Sequence, residues 1–578
     1  MRWSQLHIPT LREDPADADA ASHRLLLRAG YIRQLMAGHY CLLPLGIAVR
    51  AKVMRIIREE MNRIGAQEFL LPCMQPAQIW EKSGRLAVMG DEMFRLKDRK
   101  GAEVVLGMTH EEIFAYLAQE LASYRELPQA WYHIQTKFRD EPRPKSGLLR
   151  VREFTMKDSY SFDVDEAGLD ASFGRHRAAY ERIFARLGIP AIPVEASSGN
   201  MGGSDSIEFM CPSQAGEDLV ATCPACGYAA NLEKATSALP PLADPPAGEA
   251  PDAPERLDTP GVRTIEDLVK GYGIAGDRQI KTLVQFIDGD LTLVLLRGDH
   301  PLADQKLADA TGGVTIRPAQ PEEIEAALGA LPGSLGAVGV TKFRVIADLG
   351  LRGRRAMTTG ANIDDVHLTG VDVDRDIAVA TWADLREVTE GEPCPRCGTG
   401  LELVRAIEVG HIFKLGRKYT KTFGVTISMP DGGTVIPIMG SYGIGVERAV
   451  AVIAEVHHDD AGLAWPVAVA PVEVTVLPLS VREGEVLATA ETLYSGLIGA
   501  GVQAVIDDRD VRPGVKYADS ELTGIPFRVS VGSRDLAEGM VEITSRATGT
   551  KERIALDGAV EHLTELLAEV RAGDAPAR

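Results

Sequence analysis

Phe138 to Phe162 reads FRDEPRPKSGLLRVREFTMKDSYSF. Two strand-like runs, AWYHIQTKFRDE and LLRVREFTMKDSYSF, flank PRPKSG, whose prolines, serine and glycine mark a loop. The pattern is a hairpin. On it Arg139 offers a rigid fork of donors to a phosphate. Glu141 can accept from an adenine amino group, and Phe154 can lie on a purine face. The spacing R-x-E, loop, R-x-x-x-F, with Arg150 opening the second half, is more specific than any one residue. Lys137 to Lys157 holds seven basic residues against three acidic ones. This is a cationic island in a chain of formal net charge -20. The overall charge argues against nucleic acid, but a phosphate reads the local charge. By itself the island also fits a solvated surface hairpin.

A second run, GSYGIGVER at 440–448, follows the strand-like TVIPIMG and precedes the helical VERAVAVIAEV. It reads as a glycine-rich turn into a helix. It is no dinucleotide fingerprint, since Arg448 stands where a third glycine belongs, and no Walker loop, since no GK[ST] follows. Gly443 and Gly445 let a ligand approach the backbone at a helix start, where Arg448 points a charge. A bulge with a surface arginine is the simpler alternative.

At 578 residues the chain needs several domains. Residues 20 to 64 read as helical, with Val49, Val53, Ile56, Ile57, Met61 and Ile64 on one stripe. AQEFLLP is a short strand ended by Pro72. Met93 to Met108 reads as strands around a turn at Lys100-Gly101, and a helix is expected from about Glu111 to Tyr124. Residues 237–262, rich in Pro, Ala and acid, read as a linker. An α/β segment follows to about Asp376, and another from Val472 onward. No apolar run is long enough to span a membrane, and the N-terminus shows no secretory pattern. Seven cysteines, four of them in two CxxC pairs, argue for a reducing, cytoplasmic compartment.

Together the long helix with its strand and Pro72, Arg139 to Asp158, and Gly443-x-Gly445-x-x-Arg448 resemble the three signature motifs of class II aminoacyl-tRNA synthetases. Met108-Thr-His-Glu111, the hairpin run, IEVGHIFKLGRKY and GSYGIGVER are similar to bacterial-type prolyl-tRNA synthetases, over essentially the whole chain. The resemblance implies a multidomain α/β (α+β) protein. Its catalytic core, on an antiparallel sheet, is expected at 1–228 and 404–466. An inserted α/β editing domain is expected at 229–403, with linker 237–262, and an α/β anticodon-binding domain at 467–578. It also implies ATP, Mg2+, L-proline, tRNA(Pro) and a homodimer.

The resemblance further assigns roles. Arg139 and Arg448 are the catalytic cations, because an anionic carboxylate must attack an anionic phosphate. Arg139, Glu141, Arg150, Phe154, Gly443, Gly445 and Arg448 are expected to bind ATP. Thr109, Glu111, Arg139, Asp158, His411 and Phe413 are expected around proline. Thr109-x-x-Glu112 is also a capping box, a structural reason for the threonine. Arg143 and Lys145 are expected to meet the tRNA acceptor end. A pocket shaped for proline excludes alanine weakly, since methylenes are worth only about 1–3 kcal/mol. Lys281, Asp348 and His367 match residues that matter for hydrolysis of alanyl-tRNA in resembling domains. Alone they read as a strand residue, a turn former and a core histidine. Cys223, Cys226, Cys394 and Cys397 look like two zinc knuckles, with four reduced thiols as the alternative. Asp508-Arg509 and Arg512-Pro-Gly-x-Lys516 match the anticodon-binding pattern; a purely structural domain is the alternative. Another synthetase of the same subgroup, or a silent paralogue, are the competing readings of the whole. The second is disfavoured because Arg139, Glu141 and Arg448 are all present.

Overall fold

The computed structural model describes residues 1–197, 205–239, 242–246, 251–313 and 315–573. The chain forms two compact units: Met1–Pro193, Met201–Glu217 and Arg405–Arg578 make unit 1; Val194–Asn200 and Asp218–Val404 make unit 2. The boundary expected at 229 falls inside unit 2, because the hairpin carrying Cys223 and Cys226 packs with the loop of Cys394. No described helix is long and apolar enough to cross a membrane.

In unit 1 the expected helix over 20–64 is two helices, Ala21–Arg28 and α1 (Pro44–Arg63), with the strands Ile32–Met36 and His39–Leu42 paired between them. Gly30 and Gly38 break the helix by adopting φ of 73° and 78°, and Pro44 restarts it at the first helical position. The apolar stripe of α1 is buried as its spacing predicts. β1 (Gln67–Phe69) follows, then α2 (Glu111–Leu117), which is shorter than its pattern suggests. β2 (Gln129–Phe138) and β3 (Glu153–Asp163) form the hairpin. α3 (Glu166–Leu187) is capped by Asp165 and tied to α1 through Glu60, which meets Arg182 at 2.6 Å and Arg186 at 3.0 Å. β4 (Ser206–Pro212), β5 (Glu402–Gly416) and β6 (Ile438–Gly445) complete the set. Within unit 1 the strand order is β4-β5-β6-β3-β2-β1, antiparallel except where β1 joins β2. α4 (Val446–Val456) is apolar nearly all round and is correspondingly buried.

The last part of unit 1 is a mixed five-stranded sheet, in the order Ala504–Ile506, Val474–Pro478, Phe527–Val531, Met540–Ser545, Lys551–Ala555. The final strand was not expected from the sequence. Trp3 is buried with Val472, Val505 and Ile525. Arg509 stacks 4.6 Å over Trp3 and pairs with Asp507 and Asp519. Asp508 accepts from Ser4, and the buried Lys516 donates to Pro478 and Asp507 carbonyls. Of the positions matched to the anticodon pattern, these three hold the fold together, while Arg512 is exposed.

Unit 2 contains a five-stranded sheet, ordered Ile316–Pro318, Ile280–Ile287, Asp290–Arg297, Arg344–Asp348, Thr381–Ala383. A three-stranded sheet is ordered Glu255–Asp258, Val366–Val371, Met357–Gly360. Its first strand lies inside the segment expected to be a linker. Asp244, from the same segment, meets Arg354 at 2.8 Å and also pairs with Arg278. Edge pairing and these ion pairs outweigh the proline-rich composition. Residues 240, 241 and 247–250 of the expected linker lie outside the described residues.

Candidate active site

The loop at 139–152 leaves the β2–β3 hairpin where Phe138 pairs with Glu153. Arg139 N donates to Arg152 O at 2.9 Å and extends the ladder by one rung. The Arg139 guanidinium lies over the Phe154 ring, 5.3 Å from its centroid. Among the described residues it makes no hydrogen bond or ion pair. Burial, and next the charge of Arg448, push it below the ordinary arginine value. Two guanidinium groups within range of each other suit a polyanion, which relieves their repulsion. Glu141 meets Arg150 Nε at 2.9 Å. Burial alone would raise its carboxyl, but Arg150 and the Arg143 amide outweigh this and hold it low.

The cationic island is smaller at the surface than its composition suggests. Lys137 and Lys157 are 0% exposed. Arg150 and Lys145 both meet Glu217, at 2.8 and 3.1 Å. Arg152 pairs with Asp140 at 3.5 Å. Arg143 is exposed, and its guanidinium has no partner among the described residues.

The expected glycine-rich turn is not formed. β6 runs unbroken through Gly445, and α4 begins at Val446. Pairing holds these glycines extended: Gly443 lies between Asp158 of β3 and His411 of β5, and Gly445 pairs with Met156 of β3. A Cβ on Gly443 would come 3.4 Å from Met156 Sδ, and one on Gly445 3.4 Å from Arg448 Cβ. Both are ordinary contacts. The free fold therefore does not demand glycine here, although glycine weakens a strand. What the glycines leave is bare backbone that a ligand can approach closely. Arg448 donates to Leu149 O at 3.0 Å and to Glu408 Oε2 at 3.0 Å. Glu408 also meets His411 Nδ1 at 3.1 Å. Burial opposes ionisation of Glu408, but His411 and Arg448 hold its carboxyl down at about 2.

Thr109 does not cap α2. His110 occupies the N-cap position without a side-chain cap bond. The Thr109 hydroxyl instead donates to Glu111 Oε2 at 2.6 Å, while Glu112 is taken by Arg85 at 3.1 Å and Ser83 at 2.9 Å. Glu111 is 1% exposed. Its Oε2 also meets Arg85 at 3.1 Å; its Oε1 faces Ser441 Oγ at 3.2 Å and Tyr160 OH at 3.4 Å. Burial pushes Glu112 upward against the pull of Arg85.

Asp158 is fully buried and does not line an open wall. Its Oδ1 meets Lys137 at 2.7 Å and His133 at 2.9 Å, and its Oδ2 accepts from Tyr160 at 2.8 Å. Burial would raise Asp158, but His133 and Lys137 outweigh it and hold the carboxyl low. Burial, then Lys137, push His110 down to about 2, so its ring is neutral. His110, His133 and Asp158 have metal-like spacing, yet the Lys137 ammonium already stands among them, 2.8 Å from His110 and 2.9 Å from His133. Removing one partner of such a buried cluster costs about 3–5 kcal/mol.

His411 stacks on Phe413 at 3.8 Å, and its Nε2 meets Ser206 at 2.5 Å. Its donor atoms and those of Glu208 and Glu408 all lie within 4.8 Å of one another. Two carboxylates suit magnesium, which prefers oxygen ligands and keeps several waters; the donor set fits that ion. Glu208, Glu408, Arg85, Tyr160 and Ser441 were not singled out from the sequence. Tyr160, Glu408 and Ser441 lie inside the quoted runs, while Arg85 and Glu208 lie outside them.

In unit 2 the four cysteines converge. Cys223 Sγ lies 3.5 Å from Cys397 Sγ, and Cys226 Sγ 3.6 Å from Cys394 Sγ. Zn–S bonds of about 2.3 Å imply tetrahedral edges of about 3.8 Å, so the donor set fits zinc. The three expected editing residues are not brought into mutual contact. Lys281 Nζ donates to His300 O at 2.6 Å. Asp348 accepts from Gly350 N and Leu385 N, both at 2.8 Å, and burial raises its carboxyl. His367 Nδ1 meets Thr259 Oγ1 at 2.6 Å, and burial lowers its imidazole.

Residues 94–457 match the family model described as tRNA synthetase class II core domain (G, H, P, S and T). Residues 473–566 match the model of an anticodon binding domain. A proline--tRNA ligase of Anaeromyxobacter sp. (strain Fw109-5) is 54% identical over 578 residues, covering 99% of each chain. Those of Acidobacterium capsulatum and Geobacter sulfurreducens are 48% and 46% identical, each over 98% of this chain and 100% and 99% of their own. The chain therefore belongs to the proline--tRNA ligase family, within the class II aminoacyl-tRNA synthetases.

Proposed function

We propose that the chain activates L-proline with ATP as prolyl-adenylate and then passes the prolyl group to the 3' end of tRNA(Pro). The observation that carries this reading is the buried Glu111 carboxylate, bonded to Ser441 of β6 and Tyr160 of β3, with the Arg139 guanidinium close enough to feel the charges of both Glu111 and Arg448. Glu111, oriented by Thr109 and Arg85, receives the secondary ammonium of proline. Tyr160 spends its proton on Asp158, so Glu111 Oε1 keeps a lone pair for the substrate. Asp158 acts on proline through Tyr160. Phe413 and His411 stack beside this site. Arg139 holds the proline carboxylate and the α-phosphate, and Phe154 carries the adenine with Glu141, which Arg150 orients. Arg448 exchanges Glu408 for the γ-phosphate, and Gly443 and Gly445 admit the nucleotide to the backbone. Glu208 and Glu408 would hold magnesium, which when bound neutralises phosphate charge. No general base is needed, because the attacking carboxylate is already ionised; fixed positive charge and alignment supply the catalysis.

The same reading takes the C-terminal part as the anticodon-binding domain and Arg143 and Lys145 as contacts to the acceptor end. The chain works as a homodimer: Leu35, Met36, Ile47 and Leu70, on the segments that resemble the first signature motif, are exposed apolar residues, with Leu35 and Leu70 more than 70% so. Unit 2 hydrolyses alanyl-tRNA(Pro), with zinc on the four cysteines. The test is ATP–pyrophosphate exchange with a panel of amino acids. Proline is expected to drive exchange best; exchange with a different amino acid but not proline would overturn the specificity.

A further inference from the structure

His300 lies just past the strand Asp290–Arg297 and is 5% exposed. Among the described residues neither of its ring nitrogens has a hydrogen-bond partner. The Asp299 carboxylate stands 3.9 Å from Nε2, too far to bond. Buried polar groups are nearly always paired, and an exception points to a bound water or ligand, or to a functional role. The position favours function. Strands Asp290–Arg297, Arg344–Asp348 and Thr381–Ala383 run parallel, and ligands of α/β sheets gather at the carboxyl ends of such strands. There the His300 ring flanks Gly350 beside Asp348: a Cβ built on Gly350 would lie 2.8 Å from Asp348 Oδ1 and 3.7 Å from His300 Cε1. Lys281 fixes the backbone at His300 through its carbonyl. Asp348 has both oxygens committed to backbone amides, so it shapes the site and has little capacity left for a water. His300 has its capacity intact.

We propose that His300 is a catalytic residue of the hydrolytic site in unit 2, holding the water that attacks the aminoacyl ester. This rests on the reading of unit 2 as an editing domain. The water oxygen bonds to the ester carbonyl carbon, and the ester bond to the terminal ribose breaks. Alanine leaves as the free acid, and the ribose hydroxyl recovers its proton from the same water. A ring nitrogen accepts the water's hydrogen bond and orients its lone pair.

The test is His300→Phe, which keeps a ring and removes both nitrogens, with His300→Asn as a second variant. Each full-length protein is given pre-formed alanyl-tRNA(Pro), and its thermal midpoint is measured. The expected result for His300→Phe is a loss of deacylation of about 100-fold or more with no fall in the midpoint, since no internal bond is lost. Wild-type deacylation with an unimpaired Phe variant overturns the assignment of His300 alone. A fall in midpoint matching the loss of activity in both variants reveals a structural histidine and also overturns it. A wild-type protein that does not hydrolyse alanyl-tRNA(Pro) removes the editing reading together with this proposal.

Discussion

Glu111→Gln isolates the charge that the proposed amine site depends on. The side-chain shape is kept, so the fold-level contacts are nearly preserved. Thr109 and Arg85 both donate to Oε2. The amide oxygen must therefore stay on that side, which turns the NH2 group to the position of Oε1. A donor then faces the proline ammonium where an acceptor stood. A hydrogen bond to a charged group is worth about 1.5–3 kcal/mol, which corresponds to a rise in the proline KM of about 10- to 150-fold. Arg85 retains Glu112 at 3.1 Å, so the variant is expected to fold. Arg139 and Arg448 are untouched, and the ATP KM is expected to stay within about twofold. The assay is pyrophosphate exchange, titrated separately with proline and with ATP. A folded variant whose proline KM is unchanged would show that Glu111 does not bind the amine. An ATP KM that rises in parallel would show that the two parts of the site are not separable in this way.

Gly443→Ala places a methyl group in ordinary contact with Met156. Its thermal midpoint is expected to stay near wild type while the ATP KM rises several-fold; a fall in midpoint with normal ATP kinetics would make the glycine structural. Metal analysis is expected to find one zinc per chain, reduced in Cys226→Ser; metal-free protein with unaltered stability would leave four thiols. His300 supplies a pH test. Burial, and next Arg297, lower its imidazole to about 4 from an ordinary 6.5. The unfolded chain therefore binds the proton first, and folding stability contributed at this site is complete above pH 6.5 and falls as the pH drops from 6.5 through 4. Thermal unfolding of wild type and His300→Phe across that range is expected to show the variant's relative stability increasing as pH falls; a constant difference would contradict the buried neutral ring.

The hairpin was legible because its information is local. Phe154 sits on β3 and Arg139, Glu141 and Arg150 on the loop that joins β2 to β3, so their spacing alone keeps them at one end of the hairpin. Arg448 was legible for the same reason, since it lies one turn into α4. The state of the glycines before it was not, because glycine is read as a turn unless the partners on both sides are known. Those partners, β3 and β5, are distant in sequence. Distance also hid Arg85 and Ser441, which reach Glu111 from separate segments, and Glu408, whose role appears only opposite Arg448. Lys137 and Asp158 looked like surface charge and pocket wall. A sequence cannot show that they neutralise each other inside the protein. His300 was overlooked because what marks it is a missing partner, and no spacing of residues records that.

β4 and β5 pair closely, Ser206 opposite Phe413, although nearly all of unit 2 is strung between them. Closing so long a flexible loop carries an entropy cost that grows with the logarithm of its length. If unit 2 folds first, its ends are already gathered and the remaining closure is short. The ribosome favours that order: unit 2 is synthesised before β5, β6 and α4. Until they emerge, the first half of the charging site has Arg139 and Glu111 but neither Arg448 nor Ser441. The nascent chain thus completes its proposed proofreading domain before it can make the product that domain inspects.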